Sequence, residues 1–301
     1  MNVVAEIKLF SVGDTVKERT SSEVILEKEL QSLIEQNMEI FFGVRFLKSE
    51  YAITNGRMDS IGIDENNSPV IFEYKRSQNE NVINQGLFYL DWLLDHKADF
   101  KLLVIEKLGM EAANNIDWSV PCVICIAHDF TKYDIHAVNQ MQRNIKLVSY
   151  RKYDNDLILF EHLNVPTVKP ISEDVVGDSD TKSNIQKTHL EKLASVSKDM
   201  NNLYYSICDF IESLGDDIVQ NQLKLYLAYK KVQNMVCIEI YSKQIILFLK
   251  LNPETVRLEK GFTRDMRSVG HYGTGDLQIT IKKVEDFEKA KPLLERAYNE
   301  A

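Results

Sequence analysis

The fold of this chain is decided by Gly56-Arg57-Met58-Asp59-Ser60-Ile61-Gly62-Ile63-Asp64, a polar turn, and Pro69-Val70-Ile71-Phe72-Glu73-Tyr74-Lys75-Arg76. The two runs look extended and are joined by an Asn-rich turn, which predicts a hairpin of two strands. In the second strand Glu73 and Lys75 share a face, because side chains alternate along a strand. Charged residues are seldom buried without purpose, so this pair indicates a functional site.

The register of the hairpin decides whether a second acid joins Glu73. Asp59 reaches the same face if Asp64 lies opposite Ser68 around the three-residue loop Glu65-Asn66-Asn67. Such a loop is allowed when an Asn takes the left-handed conformation. The alternative is an ordinary hairpin with solvated charges, and one Asp and one Glu do not separate the two readings.

A helix is predicted before the hairpin, from Thr20 to Asn37. Thr20-Ser21-Ser22-Glu23 has the spacing of a capping box, and leucines and an isoleucine follow at helical intervals. Glu27 and Glu29 flank this apolar stripe at nearly equal angles. Helical geometry therefore leaves open which of the two acids faces the hairpin.

A second helix is predicted after the hairpin, from Asn81 to His96. Gln85 and Tyr89 lie one turn apart on it and are therefore adjacent on its surface. In the purely structural alternative, Tyr89 is a core residue and Gln85 a boundary residue. Further along, the sequence predicts a helix over 134–143 and strands over 100–105, 120–127, 145–150 and 157–161. This order implies an α/β domain with a mixed sheet and helices on both faces.

Residues 20 to 160 resemble the PD-(D/E)XK nuclease superfamily, and most closely its NucS-like endonucleases. Asp59 stands at the first acid of that family's motif and Glu73-Tyr74-Lys75 at its (D/E)-x-K element. Gln85 and Tyr89 match the Gln-x-x-x-Tyr motif of RecB-like branches. The resemblance implies a restriction-endonuclease-like core and a Mg²⁺-dependent deoxyribonuclease, with Mn²⁺ as a possible substitute.

The same resemblance implies a role for each residue. Asp59, Glu73 and the backbone carbonyl of Tyr74 would hold the metal, and Lys75 would position or deprotonate the attacking water. Alignment with the family favours Glu27 over Glu29 as the auxiliary acid. Gln85 and Tyr89 would support the site and contact the DNA backbone. The alternative is a binding module that recognises nucleic acid on a nuclease fold without cutting it.

The formal net charge of −9 excludes a protein that coats nucleic acid by bulk electrostatics. It is compatible with a nuclease, because a carboxylate-rich metal site is itself acidic. We expect any DNA backbone contact to be made by a local groove of basic residues near the hairpin. The candidates are Arg45, Lys48, Arg57, Lys75 and Arg76.

The composition predicts three parts: a nuclease-like domain over 1–164, a linker over 165–188 and a smaller α+β domain over 189–301. Helices are predicted over 203–211 and 284–301, and strands of an antiparallel sheet over 223–229, 236–251 and 277–281. This half resembles a small domain that is appended to NucS-like nucleases and whose own activity is not established.

The loop Gly261–Asp276 contains four glycines, and two readings of it remain open. In one, the glycines only meet the positive φ angles of a tight loop. In the other, Arg264, Arg267 and His271 bind a phosphate or a nucleic-acid end and so govern substrate choice. A protein partner for this domain is a further expectation, as is a homodimer whose two sites address both DNA strands.

The remaining features of the sequence are unremarkable for a globular protein. No run of 18 apolar residues and no signal peptide is present, so we expect a cytoplasmic protein with no membrane partner. Cys122 and Cys125 have the spacing of zinc ligands, but a strand would direct their thiols to opposite faces. Buried hydrophobic roles are therefore favoured for both.

Overall fold

The computed structural model describes residues 7–21, 25–75, 81–154, 156–164 and 187–301. These residues form two six-stranded sheets and a short hairpin near the N-terminus. The hairpin pairs β1 (Leu9–Val12) with β2 (Val16–Arg19). The sequence over 6–10 suggests a short strand; Glu6 lies outside the described residues, and the observed strand begins at Leu9.

The first sheet has the strand order β3-β4-β5-β6-β7-β8. Strand β5 pairs antiparallel with β4 and parallel with β6, β7 is parallel to β6, and β8 is antiparallel to β7. The predicted mixed sheet is therefore confirmed. The strands are β3 (Val44–Ile53), β4 (Gly56–Asp64), β5 (Pro69–Lys75), β6 (Cys122–Ala127), β7 (Ile145–Tyr153) and β8 (Leu157–His162).

Helices cover both faces of this sheet. Helix α1 (Glu27–Phe42) packs on the face that carries Phe72 and Tyr74, whereas α2 (Asn81–Asp95) packs on the face that carries Ile71. Cys122 lies in the core under α1 and Cys125 in the core under α2, which confirms that the two thiols point to opposite faces. The other helices of this half are α3 (Lys97–Leu108), α4 (Met110–Asn114) and α5 (Lys132–Gln140).

The expected strand over 100–105 is wrong, because these residues lie within α3. Phe100, Leu103 and Val104 are buried at helical spacing, and Leu102 between them is 64% exposed. The apolar run is thus the buried stripe of a helix plus one solvent-facing leucine. A run this short does not reveal its period, which is why the sequence was misread.

The start of the first helix was also predicted wrongly. Its first residue is Glu27 rather than a residue near Thr20, its N-cap is Leu26, and it continues to Phe42. The carbonyl of Thr20 instead accepts a hydrogen bond from Asp154, and Ser21 bridges to Tyr153. The acids Glu27 and Glu29 occupy the first turn, where the helix dipole favours negative charge.

The second sheet is entirely antiparallel, with the order β13-β14-β12-β11-β10-β9, as predicted for the smaller domain. The strand expected over 223–229 begins only at Leu227, because Leu223 lies before it in a turn. The strands are β9 (Val219–Gln222), β10 (Leu227–Lys230), β11 (Asn234–Tyr241), β12 (Gln244–Leu249), β13 (Thr263–Asp265) and β14 (Leu277–Ile281). The helices are α6 (His189–Ser195), α7 (Lys198–Glu212) and α8 (Val284–Glu300).

The second domain docks on the turn between β4 and β5. Tyr226 Oη and Asn234 Nδ2 both donate hydrogen bonds to the Asn66 side chain, and the Asn234 backbone N–H donates to the Glu65 carboxylate. Val120 adds an apolar contact to the second domain. Except for Lys187 and Thr188, the linker predicted over 165–188 lies outside the described residues. Within the described part of the chain, no helix is long and apolar enough to cross a membrane.

Candidate active site

The hairpin has the register that the sequence required. Ile63 lies opposite Pro69 and Ser60 opposite Phe72, and the Asp64 N–H donates to the carbonyl of Ser68. Asn67 in the loop takes a φ of 62°, the left-handed conformation expected of an Asn at that point. This register carries Asp59 to the position opposite Glu73.

The two acids interlock at the point where the β4–β5 ladder ends. The backbone N–H of Asp59 donates to Glu73 Oε1 at 3.2 Å, and the N–H of Tyr74 donates to Asp59 Oδ2 at 3.0 Å. Beyond the Ser60–Phe72 pair, therefore, the strands are linked by carboxylates instead of carbonyls. Both side chains are fixed in place by the backbone of the opposite strand.

Burial and mutual repulsion shift the titration of these acids. Glu73 is 1% exposed, and burial together with the charge of Asp59 raises its pKa to about 9. Burial also raises the pKa of Asp59, against the opposing effects of the Tyr74 N–H and of Lys75. At neutral pH the pair therefore holds a proton in the absence of a cation.

Lys75 and the helix acid complete the cluster. Lys75 Nζ lies 3.4 Å from Glu27 Oε1, and the lysine side chain is 19% exposed. The N-terminus of α1 thus brings Glu27 beside Lys75, whereas Glu29 is solvent-exposed. Helical geometry had left this choice open, and of the two acids Glu27 is the one beside Lys75; its role as auxiliary acid stays a prediction.

Helix α2 brings Tyr89 to the same cluster. Tyr89 is buried, and its hydroxyl accepts a hydrogen bond from the backbone N–H of Arg57 at 3.4 Å. Burial, with added effects from Glu73 and Asp59, raises the pKa of Tyr89. Tyr89 therefore belongs both to the core and to the site. One turn earlier, Gln85 Oε1 is buried and has no hydrogen-bond partner among the described residues.

Sequence reasoning missed the polar network that holds β4 from the side of α1. Gln31 Nε2 donates to the carbonyl of Asp59 at 2.8 Å, to Ser49 Oγ at 3.1 Å and to Glu35 Oε1 at 2.9 Å. Ser60 Oγ donates to the same Glu35 oxygen at 2.6 Å. The available signal was the spacing of Gln31, four residues after Glu27 and therefore on the same face of the helix.

Sequence reasoning also missed Glu50, which lies on β3 opposite Asp59 of β4. The flanking pairs Ser49–Ser60 and Tyr51–Met58 place it there, and its φ of 51° is unusual for a strand residue other than glycine. Its carboxylate pairs with Arg57 at 2.6 Å and with Lys28 at 3.1 Å. Strained backbone of this kind often occurs beside functional sites.

The basic residues that the sequence grouped together are dispersed. Arg57 lies at the site, in its ion pair with Glu50. Arg45 bonds Asn67 at the turn, so its inclusion in a groove at the site was wrong: β3 runs antiparallel to β4 and carries it to the other end. Lys48 lies over the Tyr51 ring. Arg76 lies outside the described residues.

The three basic residues predicted in the second domain have separate environments. Arg264 is exposed on β13, and Arg267 is held by Asp265 at 2.7 Å and Glu254 at 2.8 Å. His271 stacks on Phe248 with the ring centroids 4.1 Å apart. Gly273 and Gly275 in this loop have φ angles of 76° and 128°, which fits the reading of a tight loop that needs glycine.

The acid pair fits a hard divalent cation. The described residues contain no cluster of three or more His, Cys, Asp or Glu side chains able to hold a metal. Mg²⁺ does not require one, because it keeps several waters and is commonly bound by one or two carboxylates. Asp59 and Glu73 supply two such carboxylates, and a cation would replace the proton that their repulsion retains.

Comparison with known proteins assigns the two halves separately. Residues 26–114 match the family model described as Endonuclease NucS C-terminal domain, and residues 190–301 match Domain of unknown function (DUF5655). Over 280 residues the chain is 33% identical to an uncharacterized protein of Haemophilus influenzae, a match that covers 90% of this chain and 92% of that protein. The chain belongs to the family of that protein. Its first domain has a NucS-like nuclease fold.

Two known structures are similar to part of this chain at 16% identity and a TM-score of 0.29 each. One is a repair endonuclease from Pyrococcus abyssi, matched over 47% of this chain and 65% of that chain. The other is the EndoMS–dsDNA2 complex, matched over 48% of this chain and 64% of that chain. This chain therefore spans less than two thirds of the length of each.

Proposed function

We propose that the protein is a metal-dependent endonuclease that hydrolyses phosphodiester bonds in DNA. The observation that supports this most is the interlocked pair Asp59 and Glu73 with Lys75 beside it, on a domain with a NucS-like nuclease fold. Repair of damaged or unusual DNA, or defence against foreign DNA, is the activity that such an enzyme would serve.

Each residue of the site has a role in the proposed reaction. Asp59, Glu73 and the carbonyl of Tyr74 would hold Mg²⁺ or Mn²⁺, which when bound supplies charge stabilisation and an acidified water. Lys75 would orient or deprotonate that water and donate to the charge that develops on the phosphate. Glu27 keeps the Lys75 ammonium in place. Gln85, Tyr89, Arg57 and Arg76 would contact the DNA backbone.

The second domain would select substrates or partners without taking part in the chemistry. Its Arg264, Arg267 and His271 are the proposed contacts for DNA, and a protein partner is the other role in the same proposal. The docking turn lies at the opposite end of β4 from Asp59, about 17 Å away at the usual rise per strand residue. Any DNA that touched both regions would have to span that distance.

The test is incubation of the full chain with a panel of DNA substrates in Mg²⁺, Mn²⁺ or EDTA. The panel contains duplex, single-stranded, mismatched and branched DNA. Wild type should cleave at least one substrate with metal and none in EDTA. Lys75→Ala should lower the rate by roughly a hundredfold to a thousandfold, as removal of a charge-stabilising donor does elsewhere. Lys101→Ala, which changes an exposed lysine on α3, is the control and should keep full activity.

Two outcomes would overturn the proposal. DNA bound but never cut by wild type would make the protein a binding module on a nuclease fold. Cleavage that Lys75→Ala leaves unchanged would place the chemistry elsewhere.

The helix acids provide a finer test of the same site. Glu27→Gln should lower the cleavage rate more than Glu29→Gln, because only Glu27 contacts Lys75 among the two. Both substitutions remove one negative charge from the first turn of α1, so their effects on the helix are matched. Equal rates for the two variants, measured under single-turnover conditions, would exclude Glu27 from the reaction.

A further inference from the structure

The Glu50 carboxylate bridges two basic side chains beside the acid pair. Its Oε2 pairs with Arg57 Nε at 2.6 Å, and its Oε1 accepts from Lys28 Nζ at 3.1 Å. Lys28 Nζ also donates to Gln31 Oε1 at 3.2 Å, and the amide nitrogen of the same Gln31 donates to the carbonyl of Asp59 at 2.8 Å. One side chain therefore separates Lys28 from Asp59, and the bridge lies directly beside the candidate active site.

Both cations keep donors for a further ligand. An ammonium has three N–H donors and a guanidinium has five. Lys28 uses two of its donors on Glu50 and Gln31, and Arg57 uses its Nε on Glu50. Within the described part of the chain, the terminal nitrogens of Arg57 donate no hydrogen bond. The two side chains are 69% and 64% exposed, so the remaining donors can be reached from solvent.

The bridge carries a net positive charge, because two cations share one carboxylate. The other acids around it have their own environments. Glu27 pairs with Lys75, Glu35 accepts hydrogen bonds from two side chains, and Glu29 is exposed to solvent. The acid pair holds a proton without metal and would hold the proposed cation with it. An anion with a single charge and more than one acceptor oxygen fits the bridge, and a backbone phosphate of DNA is such an anion.

We propose that Lys28 and Arg57 together bind a backbone phosphate of DNA, next to the phosphate that is cut. The inference rests on the proposed function, which places a DNA strand over the acid pair. An arginine fork can hold two phosphate oxygens at once, and a lysine binds phosphate as a point charge.

Glu50 prepares this subsite before DNA binds. Its carboxylate holds the two cations together against their mutual repulsion, so less order has to be gained on binding. Its φ of 51° is a backbone conformation that persists in a residue other than glycine only where the surrounding structure holds it.

The test measures the affinity for DNA in EDTA, where the proposed metal-dependent cleavage does not occur. Binding of fluorescein-labelled duplex DNA to the full chain is followed by polarisation between about 50 and 200 mM salt. Each phosphate contact adds about 0.9 to the slope of log affinity against log salt concentration. Lys28→Met and Arg57→Met should each weaken binding roughly three- to tenfold and lower the slope by about 1. Lys107→Met, which removes an ion-paired lysine from α3, is the matched control and should change neither quantity.

The salt dependence separates a DNA contact from a structural ion pair. If the cations only paired with Glu50, Lys28→Met and Arg57→Met would shift the melting temperature and keep the wild-type slope. That result would overturn the subsite even for a protein that cuts DNA. A wild type that binds DNA with the expected variant effects but never cuts it would overturn the nuclease activity and leave the subsite in place. A wild type that binds no DNA would overturn both.

Discussion

Glu73 connects the geometry of the site with the stability of the protein. A buried acid whose pKa is raised binds a proton in the folded state at pH values where the unfolded chain has lost it. Stability conferred by that proton is present at acidic pH and falls as the pH rises from about 4.5 to about 9. In the proposed metal site a divalent cation would take the place of that proton, so the affinity for the metal should rise over the same pH range.

Glu73→Gln should abolish cleavage and stabilise the metal-free protein at pH 8. The amide keeps the shape of the side chain without a charge to bury, so the gain should be on the order of a few kcal/mol, given about 1.4 kcal/mol per unit of pKa shift. Urea unfolding at pH 5, 7 and 9 measures it. Wild type should lose stability toward pH 9 more steeply than the variant. Glu39→Gln, an exposed change on α1, is the control, and parallel pH profiles for wild type and Glu73→Gln would contradict the assignment.

At the residue scale, the sequence predicted which acidic and basic side chains lie together at the candidate site. Asp59, Glu73 and Lys75 followed from strand alternation and one loop length, and the structure brings all three together with Glu27. Gln31 and Glu50 did not follow, because their roles depend on which helix face meets β4 and on a backbone conformation at φ 51°. Neither property can be inferred from residue type or from the local hydrophobic periodicity.

Helix α1 supports strand β4, which carries Asp59. Through Gln31 it holds the carbonyl of Asp59, and through Glu35 it holds Ser60, so two successive residues of β4 are fixed from one helix face. Leu30, Ile34 and Met38 anchor the other side of the helix in the core. The position of Asp59 is therefore set by the contacts of α1 with the β4 backbone and by the packing of that helix in the core.

Gln31→Met should lower both stability and activity. It keeps the length of the side chain but leaves the buried Asp59 carbonyl, Ser49 and Glu35 without their donor, at a cost of about 1–3 kcal/mol. Cleavage should slow because β4 loses its lateral support. Gln36→Met, exposed on the same helix, is the control for helix propensity. Chemical unfolding and single-turnover rates provide the two measurements, and a variant as stable and active as wild type would remove α1 from this role.

Among the elements, long patterned segments were predicted well and short ones poorly. Helix α2 was placed within one residue, because its apolar stripe repeats over four turns. The residues of α3 were assigned to a strand, because a run of only six residues fits both the helical and the strand periodicity. The start of α1 was misplaced, since the Thr20 segment has cap residues but pairs instead with the end of β7, at Tyr153 and the following Asp154.

The two domains are joined by a small polar contact at the hairpin turn. The amides of Asn66 and Asn234 bond each other, Tyr226 Oη bonds Asn66 at 2.9 Å, and Val120 provides apolar cover. Sequence analysis could not foresee this contact, because each asparagine by itself reads only as a turn residue. The fold of each domain was predictable from its own pattern, whereas their docking depends on residues 168 positions apart.

Asn234→Ala should loosen the docking of the domains and leave each domain folded. The Glu65 carboxylate keeps its bond from the backbone N–H, but Asn66 Oδ1 keeps only the bond from Tyr226 Oη, and the lost hydrogen bond costs about 0.5–1.5 kcal/mol. Scanning calorimetry should then resolve two unfolding transitions where wild type shows more cooperative melting. Tyr226→Phe, which removes one bond to the same acceptor, should produce a smaller separation. Unchanged cooperativity in both variants would show that the contact does not couple the domains.

One hairpin carries the acids at its open end and the second domain at its closed end, and this ties the evolution of the two together. Deleting one residue from the Glu65-Asn66-Asn67 loop would turn Asp59 away from Glu73 and, in the same step, withdraw Asn66 from Asn234. Lengthening both strands by two residues would keep the acids together but carry the docked domain further away. The loop length is therefore under two separate constraints, and relatives that retain both domains should tolerate insertions in every other surface loop before this one.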